Sequence, residues 1–532
     1  MYNYDALIIG AGFSGLYQLI RLRENCDFKV KILESAEDVG GTWFWNRYPG
    51  ARCDSESYSY CYYFSDELLK EWKWSERFPQ QKEVLKYLNF VTNKFDLRKD
   101  ILFNTKVVKA NYDSVKNNWI LKTHDGKVLT STYLITAVGC LSSANIPDIA
   151  GLEKFHGEKF HTGLWPHNGV DFRDKTVAVI GTGSTGIQII PEIASQAKKL
   201  YVFQRTPNYS IPARNSKLSN DFQNYIKNKA KEIKSIMISN TNGHPFYISN
   251  LSVHDLSDLE RTKVLESSWK KGGLEFRAVF KDLLNDEKAN KYVSDFIKKK
   301  INEIVKDDIT ASNLTNIDHP FATKRPPVDS NYFETYNRNN VSLINLRNTP
   351  IKQITTNCIK TSVKEFKIDN IVFATGFDAM TGSLLKIDFE GKDNISLKEV
   401  WSSGPINYLG IQIPGFPNLF TITGPGSPSV LCNMPRAIEH HVDWITNCIK
   451  FLKKKNIKSI EAKNSYSIDW VKEVNKAADS TLMPKARHSW YLGANIPGKP
   501  RMFMPYAGGF SKYISICSEE EFKNYPGFNL IK

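Results

Sequence analysis

One structural unit constrains the fold of this 532-residue chain more than any other, because it occurs twice. "YDALIIGAGFSGLYQLIRLRE" (4–24) reads as a buried strand, a glycine turn and an amphipathic helix, and "KTVAVIGTGSTGIQIIPEIA" (175–194) repeats it. A second strand follows each copy, in "KVKILES" (29–35) and "KLYVFQRTPN" (199–208). Later segments, "TYLITAVGC" (132–140) and "IDNIVFATGFDAM" (368–380), also echo one another. Short apolar runs that alternate with helices are the pattern of parallel strands covered on both faces. The fold class expected is therefore α/β, with two dinucleotide-binding Rossmann-like domains.

The glycines carry chemistry as well as topology. Gly10, Gly12 and Gly15 spell GxGxxG between strand and helix, and Gly181, Gly183 and Gly186 spell it again. Such glycines permit a tight bend, close approach of backbone to a pyrophosphate, and tight helix–strand packing. The helix N-terminus then offers unsatisfied N–H groups to the phosphates. Ser14 belongs to the first of these turns. Glu34 ends the next strand 24 residues after Gly10 (34 − 10), a carboxylate suited to a free ribose 2′-hydroxyl as in FAD. Arg205 takes the same place after Gly181 (205 − 181 = 24) and suits a 2′-phosphate, so the second site selects NADPH over NADH. Two dinucleotide sites in one chain imply a flavoprotein that takes hydride from NADPH.

The electron acceptor is narrowed by the cysteines. All eight, at 26, 53, 61, 140, 358, 432, 448 and 517, lack a CxxC pairing and metal-ligand spacing to histidine. A dithiol reductase is disfavoured, which leaves dioxygen or a diffusible acceptor. Free thiols, a strand that starts by Ala6 and the lack of any transmembrane-length apolar run lead us to expect a cytoplasmic protein without membrane contact. The net charge of +15 raises nucleic acid as a partner, but lysines are mixed with acids, as in "DFIKKKINEIVKDD" (295–308). That run reads as a solvated helix face, and no nucleic-acid partner is expected. The length exceeds one core. The expected division places the FAD domain in 1–145 and 376–532 and the NADP domain in 146–211 and 319–375. A lysine-, asparagine- and serine-rich helical subdomain, 212–318, is inserted between the parts of the latter.

A further stretch distinguishes this chain among flavoproteins with two such turns. "FHGEKFHTGLWP" (155–166) fits FxGxxxHxxxWP through Phe155, Gly157, His161, Trp165 and Pro166, just ahead of the second glycine turn. It resembles the fingerprint of the type I Baeyer–Villiger monooxygenases. "GGTWFWNRYPGARCDSESYSYCY" (40–62), "FATKRPPVDSNYFETYNRNNV" (321–341), "TGPGSPSVLCNMP" (423–435) and "SWYLGANIPGKPRMFMPYAGG" (489–509) are similar to other segments of that family. The resemblance spans nearly the whole chain apart from the helical stretch.

The resemblance implies an NADPH- and O2-dependent FAD enzyme that inserts one oxygen next to a ketone carbonyl. An ester or lactone would arise through a C4a-peroxyflavin and a tetrahedral adduct, with sulfoxidation as a side activity. The partners are then a small ketone and dioxygen; an N- or S-hydroxylating flavin monooxygenase is the alternative. The oligomeric state is open and compatible with a monomer. By the same resemblance Arg325 is the catalytic arginine, Asp54 the carboxylate that positions it, and Lys324 a contact to the NADP 2′-phosphate. Thr42, Trp43 and Tyr60 line the flavin, Val107 meets the adenine, and Met434 sits near the isoalloxazine edge. Thr182, Gly183, Ser184, Thr185, Gly186 and Gln188 cradle the NADP phosphates, Thr206 supports Arg205, and Trp490 packs on the nicotinamide side. His161 is read as a hinge between the nucleotide domains rather than a proton-transfer group, and His156, His167, His440 and His441 as structural. Arg436 departs from the pattern expected in its segment, which puts the substrate range in question.

Overall fold

The computed structural model describes residues 2–532. Two sheets carry the molecule. The larger runs in the order Asp388–Glu390, Val107–Asp113, Asn118–Thr123, Val128–Thr136, Tyr2–Ile9, Val30–Leu33 and Ile101–Leu102, with Leu419–Thr421 beside Val128–Thr136. The smaller runs Val341–Asn345, Lys199–Gln204, Thr176–Ile180, Asn370–Phe373 and Glu158–His161, parallel throughout. Both have the same centre. Tyr2–Ile9 lies between Val30–Leu33 and Val128–Thr136, as Thr176–Ile180 lies between Lys199–Gln204 and Asn370–Phe373, and all four pairings are parallel. The α/β fold with two Rossmann-like units is the one the repeated strand–turn–helix unit predicts.

The repeat extends to single atoms. Gly10 (φ 107°) and Gly181 (φ 110°) adopt a backbone shape that L side chains avoid. A Cβ on Gly10 would stand 2.6 Å from the Ala137 carbonyl oxygen, and one on Gly181 2.4 Å from that of Ala374. A Cβ on Gly15 would stand 1.8 Å from the Gly10 carbonyl oxygen, and one on Gly186 2.3 Å from that of Gly181. Strand, turn and helix thus close on themselves at these four glycines, whatever binds in front of them.

Each sheet has its own apolar core. The helix Phe13–Cys26 buries Leu16, Leu19 and Ile20 and packs along the helix Met434–Lys454. The helix Ser184–Gln196 buries Ile187, Ile190 and Ile193 with Val177, Val179, Leu200 and Val202 of the smaller sheet. Each such side chain contributes about 1.5–3 kcal/mol by leaving water. The helices of 212–318 are present, yet they form no core of their own. Ile226, Ile233 and Met237, from the helices Asn220–Asn228 and Ala230–Ser239, join the core of the larger sheet. Leu265, Trp269, Phe276, Val293 and Ile301 join that of the smaller. Helices of nine and ten residues carry one apolar stripe each, and that stripe is buried on the nearest large apolar surface.

The chain passes between the sheets twice, and the two crossings are paired. Asn145 N–H donates to the Gly376 carbonyl at 2.9 Å, Asp378 N–H to that of Ser143 at 2.8 Å, and the Thr375 hydroxyl to that of Asn145 at 2.5 Å. Ala144 and Phe377 form an antiparallel bridge at the same place. All eight cysteines are buried and unpaired. Among the described residues no helix is long and apolar enough to cross a membrane.

Candidate active site

At the middle glycine of each turn the packing opens. A Cβ on Gly183 would meet nothing within 4 Å, and one on Gly12 only the Gly41 backbone, 3.5 Å from its Cα. Protein packing therefore does not require glycine at these two positions. The space left in front of each helix N-terminus faces unsatisfied N–H groups and could hold a pyrophosphate. Gly183 and Ser184 are exposed, whereas Ser14 is buried in the first turn of its helix. The Thr182 hydroxyl donates to the Thr206 carbonyl at 3.2 Å, tying the second turn to the strand end that carries Arg205. Thr185 bonds the Thr162 hydroxyl at 3.2 Å, which joins the helix start to the FxGxxxHxxxWP segment.

Glu34 and Arg205 meet the two nucleotides differently. Glu34 is buried; Oε2 accepts from Ala11 N–H at 2.6 Å and Oε1 from Ala36 N–H at 2.7 Å. A carboxylate has about four acceptor sites, so these bonds aim it and leave capacity for a ribose hydroxyl. Thr105 N–H bonds the Glu34 carbonyl at 2.7 Å, and Val107, two residues on, is buried in the same cluster as Leu33. Arg205 is exposed, and neither it nor half-buried Lys324 forms a hydrogen bond or ion pair among the described residues. Burial holds the Lys324 ammonium below its ordinary range; Asp318 opposes that shift, and Arg205 and Arg347 reinforce it. Neither cation is engaged in an ion pair, so both could meet a doubly charged phosphate.

Around Arg325 distant segments come together. Arg325 Nε lies 3.9 Å from Asp54 Oδ2, and Nη2 donates to the Ser55 hydroxyl at 3.3 Å. The two charged side chains are only 21% and 11% exposed. Burial lifts Asp54 to about 6, while Arg325 and hydrogen bonds from Val328 N–H and Gln188 pull it back. At neutral pH Asp54 is thus ionised, and it fixes Arg325 while leaving most of that side chain's five N–H donors unspent. Gln188 differs from the expectation. Its Nε2 donates to Asp54 Oδ1 at 3.3 Å and to the Arg52 carbonyl at 3.1 Å, and its Oε1 accepts from the Tyr48 hydroxyl at 2.7 Å. Its amide is committed to the carboxylate that faces Arg325 rather than to a phosphate, because the segment 48–54 lies against its helix. Ser55, Tyr48 and this bond carry no local sequence signal, since their partners are more than a hundred residues away.

Aromatic and apolar side chains wall the same region. The Tyr60 ring meets Phe13 at 5.4 Å and Trp43 at 5.7 Å, edge-on to both. Thr42 is exposed at the start of the short helix Thr42–Trp45. Met434 opens the helix Met434–Lys454 and packs against two clusters, one with Phe13 and Trp43 and one with Tyr491, Phe503 and Met504. Trp490 is half-buried against the latter, its ring 4.5 Å from that of Tyr491. Arg436 is enclosed elsewhere. It pairs with Glu439 one turn on, donates to the Cys61 carbonyl at 2.5 Å and stands 4.7 Å over the Tyr63 ring. It clamps its helix to residues 61–64.

The histidines separate cleanly. His161 is buried; Nδ1 accepts from Gly163 N–H at 3.0 Å and Nε2 bonds the Gly376 carbonyl at 3.1 Å. That pattern puts the proton on Nε2, and burial keeps the ring neutral by lowering its pKa. Both ring nitrogens are spent on backbone, and Gly376 belongs to a crossing between the sheets. His441 is likewise buried, bonded by Thr423 N–H at 3.1 Å and the Tyr513 hydroxyl at 2.7 Å, while His156 and His167 are exposed.

Residues 5–240 match the family model described as flavin-binding monooxygenase-like. The chain is 40% identical over 535 residues to the 2-oxo-Delta(3)-4,5,5-trimethylcyclopentenylacetyl-CoA monooxygenase of Pseudomonas putida, covering 99% of this chain and 98% of that one. It is 40% identical over 529 residues to a Baeyer–Villiger monooxygenase of Pseudooceanicola batsensis, covering 97% and 95%. The structure of an oxidised steroid monooxygenase bound to NADP superposes with a TM-score of 0.94 at 45% identity, over 99% of each chain.

Proposed function

The chain belongs to the Baeyer–Villiger monooxygenase family of flavin-binding enzymes, and from that premise we propose that it uses NADPH, O2 and FAD to insert one oxygen beside a ketone carbonyl, giving an ester or lactone. The observation that carries this reading is Arg325, held by Asp54 with most of its donors unspent, directly after Lys324 in one segment. That segment can serve the reacting centre and the nucleotide phosphate together.

When bound, the flavin supplies activated oxygen once NADPH has reduced it. The chain does the rest. Gly10, Gly12, Ser14 and Gly15 receive the FAD pyrophosphate, and Glu34 holds the ribose; Thr42, Trp43, Tyr60 and Met434 wall the ring system, with Val107 at the adenine. Thr182 to Gly186 receive the NADP pyrophosphate, and Arg205, backed by Thr206, clamps the 2′-phosphate with Lys324. Trp490 excludes water on the nicotinamide side. Arg325 stabilises negative charge as it develops on the reacting oxygens; a positioned donor of this kind is worth about 3–4 kcal/mol. Asp54 orients Arg325, and Gln188 links that carboxylate to the NADP helix. Residues 1–145 and 376–532 form the FAD domain in this reading, 146–211 and 319–375 the NADP domain, and 212–318 braces both. Relatives named for cyclohexanone and cyclopentanone favour a cyclic ketone, and one named for acetone keeps linear ketones within the class.

The test is product analysis with FAD-loaded protein and NADPH over linear, cyclic and aryl ketones. Ester or lactone that tracks NADPH consumption is expected. Consumption that yields only hydrogen peroxide with every ketone overturns the reading, and oxidation of sulfides or amines with all ketones refused replaces it with N- or S-hydroxylation.

A further inference from the structure

Within the electrostatic reach of Arg325 stands a second arginine that the chemistry above does not use. Arg277 lies on the short turn Leu274–Ala278, whose Leu274, Phe276 and Ala278 are buried. Its guanidinium forms no hydrogen bond or ion pair among the described residues, and its Nε is fully buried without a partner. The titratable groups that act on it are Tyr491 and Arg325, with no carboxylate among them. Burial, and then the repulsion of Arg325, brings it down to about 10. His244 sits in the same field: it is buried, stacked on Phe246 at 5.4 Å, and its Nδ1 has no partner. Burial, Arg325 and Arg277 all hold His244 well below its ordinary range, so it is neutral. Tyr491 is buried between the two arginines electrostatically and packs on Trp490.

Other enclosed arginines in this chain are paired. Arg436 has Glu439 and the Cys61 carbonyl, and Arg77 has Glu56. A half-buried cation whose Nε is sealed from water without a partner costs free energy, and that cost is recovered when an anion arrives. The planar guanidinium fork matches a carboxylate bidentately, and a single such fork suits a monoanion better than a phosphate dianion. We propose that Arg277, with His244 and Tyr491 beside it, forms an anion-binding subsite of the ketone pocket, and that the preferred substrates are ketones that also carry a carboxylate. This rests on Arg325 marking the place where the ketone reacts; the carboxylate then anchors the far end of the same molecule.

The experiment compares 3-oxocyclohexane-1-carboxylate with its methyl ester, using FAD-loaded protein and NADPH. The ring and the ketone are the same, and only the charge differs. The wild type is expected to prefer the acid by about ten- to hundredfold in kcat/KM, expressed mainly in KM. Arg277→Met brings that ratio close to one, and Arg277→Lys restores part of it. A second readout needs no turnover: cyclohexanecarboxylate, which has no ketone, raises the Tm of the NADP+-loaded wild type and not that of Arg277→Met. Equal kcat/KM for acid and ester in the wild type overturns the subsite, while turnover of the ester leaves the oxygen-insertion reading standing. A rise in the NADPH KM of Arg277→Met in place of the acid KM assigns the arginine to the cofactor and also overturns it. Failure to turn over either ketone counts against oxygen insertion, and the thermal shift then decides the subsite alone.

Discussion

Asp54 carries its charge in surroundings that oppose it. Lifted from an ordinary value of 3.8 to about 6, mainly by burial, it is charged at pH 8 and loses that charge as pH falls through 6. Ionisation of a carboxylate raised in this way draws on stability between about pH 4 and 6, and that cost is fully present above pH 6. The ketone kcat/KM is expected to fall on the acid side with a midpoint near pH 6, and Asp54→Asn to remove that limb; a profile from pH 5 to 9 checks both. Arg325→Ala is expected to keep flavin bleaching by NADPH in stopped flow while ester formation drops about 10²–10³-fold. Arg205→Ala should weaken NADPH about ten- to hundredfold and change NADH little, measured as the two KM values. Arg325, Lys324 and Arg205 were legible because each sits within a few residues of a motif. Ser55 under Arg325 and Gln188 under Asp54 were not, because the bonds that define them close across 270 and 134 residues. Arg277 has no such bond and no motif in "GGLEFRAVF"; its meaning lies in the missing counter-charge around it.

The two strand–turn–helix elements hold glycines of two kinds, and substitution separates them. Gly15→Ala puts a Cβ 1.8 Å from the Gly10 carbonyl, which the turn cannot absorb; a large loss of soluble, folded protein is expected. Gly183→Ala meets nothing within 4 Å, so its melting temperature should match the wild type while the NADPH KM rises, read by thermal melts and steady-state kinetics. A GxGxxG pattern marks all the glycines alike, and only the packing distinguishes those that build the turn from those that leave room in it. Elements with strong periodicity were readable in this way, including both central strand triplets. The destination of the helices in 212–318 was not. An apolar stripe such as Ile226 and Ile233 says that one face is buried, but the partner surface is set by the tertiary arrangement, which divides the stretch between two cores.

At the scale of the molecule, His161 ties one crossing through its ring nitrogens. Its bond to the Gly376 carbonyl joins the end of Glu158–His161 to the segment that returns toward the larger sheet. His161→Ala is expected to keep NADPH oxidation but to lower ester formed per NADPH, with the balance released as hydrogen peroxide; parallel assays of the three quantities check it. Unchanged coupling would return the residue to a purely structural role. A lone connector would let the nucleotide units swivel about any axis. Two connectors laced by Asn145, Thr375 and Asp378 hold the crossings side by side instead. The sheets are therefore tied where the chain leaves and returns, and the bonds of Gln188 to Tyr48 and Asp54 tie them again across the site.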